Sequence, residues 1–232
     1  MPALIRVGHK GADAIVAGNT LASFDAGLAA GVDMIEFDVI AERRDGSGEL
    51  FVAHDHAVLA KTAGPTLTQA LAHLTSAPFD GVRLQVDIKQ RGYEQRVIDA
   101  LVEHGALERA FISTGIWSAL QTFRERAPSL RTGWTVPEIP GVIGTPLITP
   151  SLGRLYSRLL PRRAAARIRA GQIDALVPNW RLVTPTLVDA VIAAGGEIYV
   201  WTVDDAAEIR RLADHGVTGV ITNDPRLFAT LN

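Results

Sequence analysis

The chain has 232 residues, of which 47% are hydrophobic, and its mean hydropathy is +0.16, so it can bury a sizeable core. A formal net charge of −2 and a pI near 6.3 argue against a general nucleic-acid-binding protein, which is usually basic. The absence of cysteine excludes disulfides and thiolate metal sites.

The start of the chain, MPALIRVGHK, has no long apolar run after a basic residue, so we expect no signal peptide. No apolar segment approaches the ~20 residues that cross a bilayer. The expectation is a cytoplasmic protein.

Short apolar strands alternate with helices along the chain, a pattern typical of βαβ units and a parallel sheet. The predicted strands are 4–8, 33–40, 49–53, 82–88, 110–113, 130–135, 175–177, 198–202 and 217–222. The predicted helices are 21–30, 66–74, 95–103, 116–126, 185–194 and 204–215.

About eight β/α units favour a closed (β/α)8 barrel, the TIM-barrel fold, over an open doubly wound sheet. No Gly-x-Gly-x-x-Gly motif follows the first strand, which weakens a dinucleotide-binding alternative. Without a repeat or a Ser/Gly linker, we expect one domain spanning residues 1–232.

Polar side chains interrupt the apolar strands near their ends. In such barrels the catalytic groups lie at the carboxyl ends of the strands, so these residues are predicted to meet at one mouth. A lone histidine there is often only a hydrogen-bonded structural residue, but the whole set is harder to explain in that way. The set comprises His9, Lys10, Glu36, Asp38, His54, Asp55, Asp87, Lys89 and Trp201.

Glu36 and Asp38 raise a question of their own, because residues two apart on a strand share a side and two carboxylates in an apolar strand repel each other. Either the strand end brings both acids to solvent, or they form half of a metal site. With Asp87 they make three carboxylates, a ligand set that suits Mg²⁺ or Ca²⁺.

The remaining members of the set suggest the chemistry. Two histidines suit a general acid and a general base at neutral pH. Lys10 and Lys89 add positive charge for an anionic group such as a phosphate. A divalent metal, cationic side chains and an acid–base pair are the components of phosphate-ester cleavage, whereas serine hydrolysis lacks its Gly-x-Ser-x-Gly motif.

The motifs of this chain resemble those of the glycerophosphodiester phosphodiesterases, in order and over nearly the whole length. The matching text is His-Lys-Gly at 9–11, Gly-Asn-Thr at 18–20, ASFDAGLAAGVDMIEFDV at 22–39, Asp-Gly at 45–46, VAHD at 52–55, Asp-Ile-Lys at 87–89, Trp-Thr-Val at 201–203 and GVTGVITNDP at 216–225. The barrel is also related to those of sphingomyelinase D and the phosphatidylinositol phosphodiesterases.

The resemblance implies a (β/α)8 barrel that uses a divalent metal to hydrolyse glycerophosphodiesters to glycerol 3-phosphate and an alcohol. The glycerol 2-hydroxyl would attack phosphorus, and water would open the resulting cyclic phosphate. It also implies the residue roles. Glu36, Asp38 and Asp87 would hold the metal, His9 and His54 would be the acid–base pair, Lys10 and Lys89 would contact the phosphate, and Trp201 would wall the glycerol side.

Three positions depart from the family pattern. Lys10 replaces an arginine and so loses a bidentate grip on phosphate. Gly18 stands where the family has a glutamate, whose place Asp13 or water would have to take. Asp87 also stands where the family has a glutamate, and its side chain is shorter by one methylene. Between Asp55 and Thr66 the family's inserted small subdomain is shortened, which predicts a more open mouth.

An arginine-rich stretch bears on the partner. It is read either as a solvated outer helix of the barrel that Pro161 breaks, or as a basic surface that makes weak contact with anionic membranes. In the second case the substrate would be a lipid diester, cleaved as by a lysophospholipase D or a sphingomyelinase D. The arginines are Arg154, Arg158, Arg162, Arg163, Arg167 and Arg169.

A different class of function is a catalytically weak relative that binds a phosphorylated small molecule without cleaving it. The changes at positions 10, 18 and 87 favour that reading. Both histidines and an acid at every ligand position favour an enzyme.

Overall fold

Eight parallel strands close into a barrel in the computed structural model, which describes residues 3–62, 64–136 and 150–231, with side chains from residue 156 onward in the last range. A further short strand, β3, pairs antiparallel with β2. The strands are β1 (Ile5–Gly8), β2 (Met34–Ala41), β3 (Leu50–Val52), β4 (Arg83–Ile88), β5 (Ala110–Thr114), β6 (Arg131–Val136), β7 (Ala175–Pro178), β8 (Glu197–Val200) and β9 (Gly219–Thr222).

The order around the sheet is β1, β9, β8, β7, β6, β5, β4, β2, and pairing of β1 with β2 closes the ring. The predicted (β/α)8 barrel is therefore confirmed. The helices are α1 (Leu21–Ala29), α2 (His56–Lys61), α3 (Leu67–Leu74), α4 (Glu94–Glu103), α5 (Trp117–Arg126), α6 (Pro150–Arg169), α7 (Pro185–Ile192) and α8 (Ala206–Asp214).

Alternation along β2 explains how one strand serves two environments. Ile35, Phe37 and Val39 point outward and pack in the layer beneath the helices. Met34 belongs to an apolar floor inside the barrel, which continues with Val7, Phe111, Ala175, Val177, Tyr199 and Ile221. Glu36 and Asp38 stand above that floor on the same inward side. The acids thus follow the strand's alternation and lie inside the mouth.

The helices are bounded by side-chain caps that the sequence supplies. Thr20 accepts a hydrogen bond from the Ser23 amide, and the Ser23 hydroxyl accepts one from the Thr20 amide, which fixes the start of α1. Thr66 and Gln69 form the same reciprocal pair at α3. Helix α2 was not predicted; it fills the short connection after Asp55, whose carboxylate caps it.

Helix α6 corrects two expectations. It continues through Pro161, so the predicted break there is wrong. Arg167 is also not part of a solvated face, because its guanidinium stacks over the rings of Trp117 at 3.6 Å and Trp134 at 4.1 Å. Arg158, Arg162, Arg163 and Arg169 are exposed, and the side chain of Arg154 lies outside the described residues.

Within the described part of the chain, every helix is too short or too polar to traverse a lipid bilayer.

Candidate active site

Seven of the nine residues singled out by the sequence, all but Asp38 and Asp55, line one cavity of about 180 Å³ at the carboxyl ends of the strands. Its wall on the side of β7 to β9 is largely apolar and includes Trp201, which the Val177 carbonyl anchors through the indole N–H at 2.9 Å. The lining residues are His9, Lys10, Glu36, His54, Gln85, Asp87, Lys89, Thr135, Val177, Trp201, Thr202 and Ile221.

Three carboxylates come together at this mouth. Glu36 and Asp38 on β2 and Asp87 on β4 each offer an oxygen, and these oxygens lie within 4.8 Å of one another. The register pairs Asp38 with Asp87 across the two strands, and all three side chains are buried. The sequence prediction that acids from two strands converge therefore describes the geometry correctly.

Lys89 is the cation nearest to this cluster. Its Nζ lies 2.7 Å from Asp38 Oδ1 and 2.5 Å from Asp87 Oδ2, so it sits between two carboxylates, although the sequence suggested a phosphate contact. Burial opposes a charged lysine, but Asp87, Asp38 and Glu36 together raise the pKa of Lys89. One ammonium among three carboxylates leaves a formal charge of about −2 in this part of the site.

The pKa directions of the acids reflect that imbalance. Burial and the charges of Asp38 and Asp87 raise the pKa of Glu36 well above its ordinary value. Burial also acts to raise the pKa of Asp38, but the Lys89 charge and the hydrogen bond from Asn19 outweigh it and lower that pKa. Glu36 is thus the acid whose charge is least compensated.

The cluster fits a divalent cation on two grounds. Its excess of about two negative charges matches one such ion. In addition, all three carboxylates are buried and offer oxygens within 4.8 Å of one another, close enough to bind the same ion. An all-oxygen set without thiolate or imidazole is the donor chemistry of Mg²⁺ and Ca²⁺.

Asn19 holds Asp38 from both sides. Its Nδ2 donates to Asp38 Oδ2 at 2.8 Å, while its Oδ1 accepts the Asp38 backbone N–H at 3.1 Å. To reach this position Asn19 adopts a left-handed φ of 60°, which asparagine tolerates better than most residues. From the sequence, Asn19 was only part of the Gly-Asn-Thr match, and this contact with Asp38 was missed.

Asp87 is oriented by hydroxyls of the next two strands. Ser113 on β5 donates to Asp87 Oδ1 at 2.6 Å, and Thr135 on β6 approaches the same oxygen at 3.3 Å. Asp87 Oδ2 faces Lys89. These two hydroxyl residues were also missed, although each lies at or next to the predicted end of its strand.

The first histidine is connected to the last strand of the barrel. His9 Nδ1 lies 2.5 Å from Asn223 Oδ1, Asn223 Nδ2 donates to Asp204 Oδ2 at 2.6 Å, and the Asn223 amide N–H donates to Asp204 Oδ1 at 2.8 Å. His9 Nε2 lies 3.9 Å from Glu36 Oε2. Burial lowers the pKa of His9, although the Asn223 hydrogen bond acts in the opposite direction.

The second histidine has a different partner. His54 Nδ1 lies 3.1 Å from Asp55 Oδ2, and half of the His54 side chain is exposed. Asp55 Oδ1 accepts the amides of Val58 and Ala57 at the start of α2. The Val58 amide, the His54 hydrogen bond and the Ala57 amide lower the pKa of Asp55 to about 2. The acid beside His54 is therefore ionised at neutral pH.

The departures at positions 10 and 18 are linked in the structure. Asp13 Oδ1 accepts the Gly18 N–H at 2.7 Å, and Asp13 Oδ2 lies 3.8 Å from Lys10 Nζ. A Cβ at position 18 would lie 2.5 Å from Asp13 Oδ1. Asp13 thus occupies the space that a side chain at position 18 would need, and Lys10 reaches the cavity with Asp13 beside it.

Comparisons with known proteins agree with this geometry. The family model described as "Glycerophosphoryl diester phosphodiesterase family" matches residues 9–104 and 79–227. A glycerophosphodiester phosphodiesterase of Caldanaerobacter subterraneus subsp. tengcongensis is 26% identical, and the match covers 97% of this chain and 96% of that protein.

Solved structures share the fold. The crystal structure of a glycerophosphoryl diester phosphodiesterase from Silicibacter pomeroyi, assigned only provisionally, has a TM-score of 0.79 and 24% identity, covering 100% of this chain and 94% of the other. A phosphodiesterase of Oleispira antarctica, solved in complex with the product sn-glycerol-3-phosphate, has a TM-score of 0.72 and 21% identity, covering 98% and 96%.

Proposed function

The chain belongs to the glycerophosphoryl diester phosphodiesterase family and is a phosphoric diester hydrolase, and from this premise we propose that it cleaves glycerophosphodiesters to glycerol 3-phosphate and an alcohol. The observation that carries the proposal is that His9 and His54 line one cavity together with two of the three clustered carboxylates, Glu36 and Asp87. This arrangement supplies an acid, a base and a cation site around one phosphorus.

The size of the cavity supports a small bound group. A volume of about 180 Å³ is of the order of a glycerophosphoryl group and below the usual range for a whole drug-sized ligand. The alcohol moiety must then project through the mouth. In the described part of this connection, residues 56–62 and 64–66, the only helix is α2, so no subdomain covers the exit there. The proposal therefore fixes the phosphoglycerol part and leaves the alcohol variable.

Hydrogen bonding supports His9 as the base. Asp204 is an acceptor for Asn223 Nδ2, so the carbonyl oxygen of Asn223 is turned toward His9. His9 Nδ1 must then carry a proton, and in the neutral imidazole the lone pair lies on Nε2. The lowered pKa of His9 keeps this neutral form populated at pH 7. We infer that His9 Nε2 takes the proton of the glycerol 2-hydroxyl as that oxygen attacks phosphorus.

His54 is the corresponding acid. Its Nδ1 faces the ionised Asp55 carboxylate, a partner that suits a protonated imidazole with N–H groups on both nitrogens. His54 Nε2 then gives its proton to the departing alcohol oxygen when the phosphorus–oxygen bond breaks. In the second step His54 takes a proton from the attacking water, and His9 returns its proton to the glycerol oxygen, which restores both side chains.

Glu36, Asp38 and Asp87 would hold the metal, either Mg²⁺ or Ca²⁺, which when bound polarises the phosphoryl group and offsets its charge. Lys10 and Lys89 add positive charge beside the phosphate, and Trp201 walls the glycerol side. Asn19, Ser113 and Thr135 act through Asp38 and Asp87 by holding those carboxylates in position.

The test is a glycerophosphocholine assay with added Mg²⁺ or Ca²⁺. His9→Ala and His54→Ala are each expected to lower kcat by about 10²–10⁴-fold, and EDTA is expected to stop turnover. His73→Ala is the matched control, because His73 is also paired with an aspartate, Asp25, but lies outside the cavity. Full activity of His9→Ala or of His54→Ala would reject the assignment of these histidines as acid and base. A loss of activity in His73→Ala would also reject it.

A lipid diester is the second candidate substrate, and the surface of α6 favours it. Arg158, Arg162, Arg163 and Arg169 are exposed, and no ion pair joins them to an acid among the described residues. The stretch 139–173 contains no aspartate or glutamate. Such a surface suits weak contact with anionic phospholipid.

Flotation with phosphatidylglycerol vesicles and with phosphatidylcholine vesicles separates the two substrates. Arg162→Glu/Arg163→Glu is expected to abolish binding to the anionic vesicles. Arg43→Glu/Arg44→Glu, an exposed adjacent pair on the β2–β3 connection with the same charge change, serves as the control. Equal recovery of wild type and the α6 variant removes the lipid candidate and leaves the soluble diester.

A further inference from the structure

Gln85 contains a buried acceptor atom that the proposed chemistry does not use. The residue is 2% exposed, lies two positions before Asp87 on β4 and lines the cavity. Its Oε1 has no hydrogen-bond partner, and among the described residues that line the cavity it is the one buried side-chain atom in that condition. Buried polar atoms are nearly always paired, so an unpaired one on a residue that lines a ligand cavity points to a ligand.

The orientation of the Gln85 amide follows from its neighbours. Ser113 uses its hydroxyl proton to donate to Asp87 Oδ1 at 2.6 Å. Ser113 Oγ must therefore accept from Gln85, and Gln85 Nε2 lies 3.0 Å away to donate. A flipped amide would set an acceptor against an acceptor. The chain from Gln85 to Asp87 thus keeps Oε1 on the side away from Ser113.

The surroundings of Gln85 select the chemistry of its partner. Glu36 is its register neighbour on β2, and Asp87 lies on its own strand. Like these two carboxylates, the Gln85 oxygen only accepts hydrogen bonds, so it gains nothing from a phosphate oxygen and needs a donor. A neutral donor suits the Gln85 oxygen best, and a hydroxyl of a polyol is such a donor.

We propose that Gln85 Oε1 accepts a hydrogen bond from the glycerol hydroxyl that takes no part in the reaction, which makes Gln85 a specificity-determining residue. This rests on the proposed hydrolysis of glycerophosphodiesters and adds what the site requires of the substrate: a free second hydroxyl. A site built to bind a hydroxyl discriminates against an analogue without it, because the site's own polar atom is then left unpaired.

The test compares two substrates and two enzymes in the presence of Mg²⁺. Glycerophosphocholine carries both hydroxyls, whereas propane-1,2-diol 1-phosphocholine keeps the attacking 2-hydroxyl and lacks the other. Wild type is expected to prefer glycerophosphocholine by about 10- to 100-fold in kcat/KM. In Gln85→Met, which has a similar length and no acceptor, this preference is expected to fall to about threefold or less, mainly through glycerophosphocholine.

Three results would overturn the proposal. The first is a wild-type ratio of kcat/KM near one for the two substrates. This measurement needs no variant, so it overturns the proposal even if Gln85→Met fails to fold. A ratio kept intact in Gln85→Met would assign the preference to another group. A loss of Mg²⁺ affinity in Gln85→Met as large as in Glu36→Gln, measured by calorimetry, would make Gln85 a metal ligand. If wild type cleaves neither substrate, the proposed function fails instead.

Discussion

Neutralising Glu36 is expected to stabilise the metal-free protein and to weaken metal binding at the carboxylate cluster. Oxygens of Asp38 and Asp87 lie within 4.8 Å of a Glu36 oxygen, and at an effective dielectric constant of ~20 each repels it by about 3 kcal/mol. Lys89 offsets roughly one of these two repulsions. Glu36→Gln, which keeps an oxygen for the Lys10 amide, is therefore expected to raise the free energy of unfolding by up to about 3 kcal/mol in EDTA at pH 8.

The pH dependence gives the sign of this effect. Because the pKa of Glu36 is raised in the folded state, the unfolded state loses its proton first and folding is destabilised as the pH rises above the ordinary value near 4.5. The difference between Glu36→Gln and wild type should therefore be small near pH 4 and grow toward pH 8. Urea unfolding in EDTA at several pH values measures it.

Excess Mg²⁺ should reverse the order. Wild type gains stability from the bound ion, whereas Glu36→Gln has lost one ligand. The control is Glu103→Gln, at an exposed position of α4, which should change stability little under either condition. If Glu36→Gln were less stable than wild type in EDTA at pH 8, the idea of an uncompensated charge in the cluster would be refuted.

Three further changes test the base and the barrel. Asn223→Ala is expected to lower kcat by about 10²-fold with a smaller change in KM, because His9 loses the partner that fixes its Nε2 lone pair, and unchanged steady-state kinetics would contradict this. Gly133→Ala places a Cβ against the Phe111 ring and should cost about 1–3 kcal/mol in urea unfolding, whereas Gly115→Ala, whose Cβ would meet the Thr135 carbonyl at an ordinary contact distance of 3.4 Å, should cost far less. Arg6→Met is expected to cost about 0.5 kcal/mol at pH 7, since its bidentate pair with Asp33 is partly exposed. Burial acts to raise the pKa of Asp33, but the hydrogen bonds and charge of Arg6 lower it overall. The stabilisation by the pair is therefore present above the ordinary aspartate pKa near 4 and should vanish as the pH falls through the pKa of Asp33 in the folded protein. A stability difference between Arg6→Met and wild type that persists at pH 2 would disprove the linkage.

The barrel and the polar residues at the ends of its strands could be predicted from the sequence. Strand-end position alone put His9, Glu36 and Asp87 in one region, because parallel strands place their carboxyl ends together. The family resemblance supplied the roles, which remain proposals for this chain. Pro161 was misread, since a proline in a long helix packed on a barrel need not end it.

The residues that orient the site could not be found in the same way. Asn223, which Asp204 holds in place, meets His9 only because β9 pairs with β1, a contact between distant parts of the chain. Ser113 reaches Asp87 because the register of β4 and β5 places the two residues side by side. A shift of one residue would turn the Ser113 side chain to the other face of the sheet. Gln85 read as part of an apolar strand. The available signal was the spacing on β4, where the polar residues Gln85 and Asp87 are two positions apart and therefore point to the same side of the strand.

The pairing of β1 with β9 has a consequence for synthesis on the ribosome. Residue 9 leaves the exit tunnel early, but its partner at position 223 comes 214 residues later. Until then the nascent sheet has two open edges, and its first histidine has no companion. Enzymatic activity should consequently appear only after residue 223 has emerged, and nascent fragments that end before β9 should be inactive however well their earlier strands have folded.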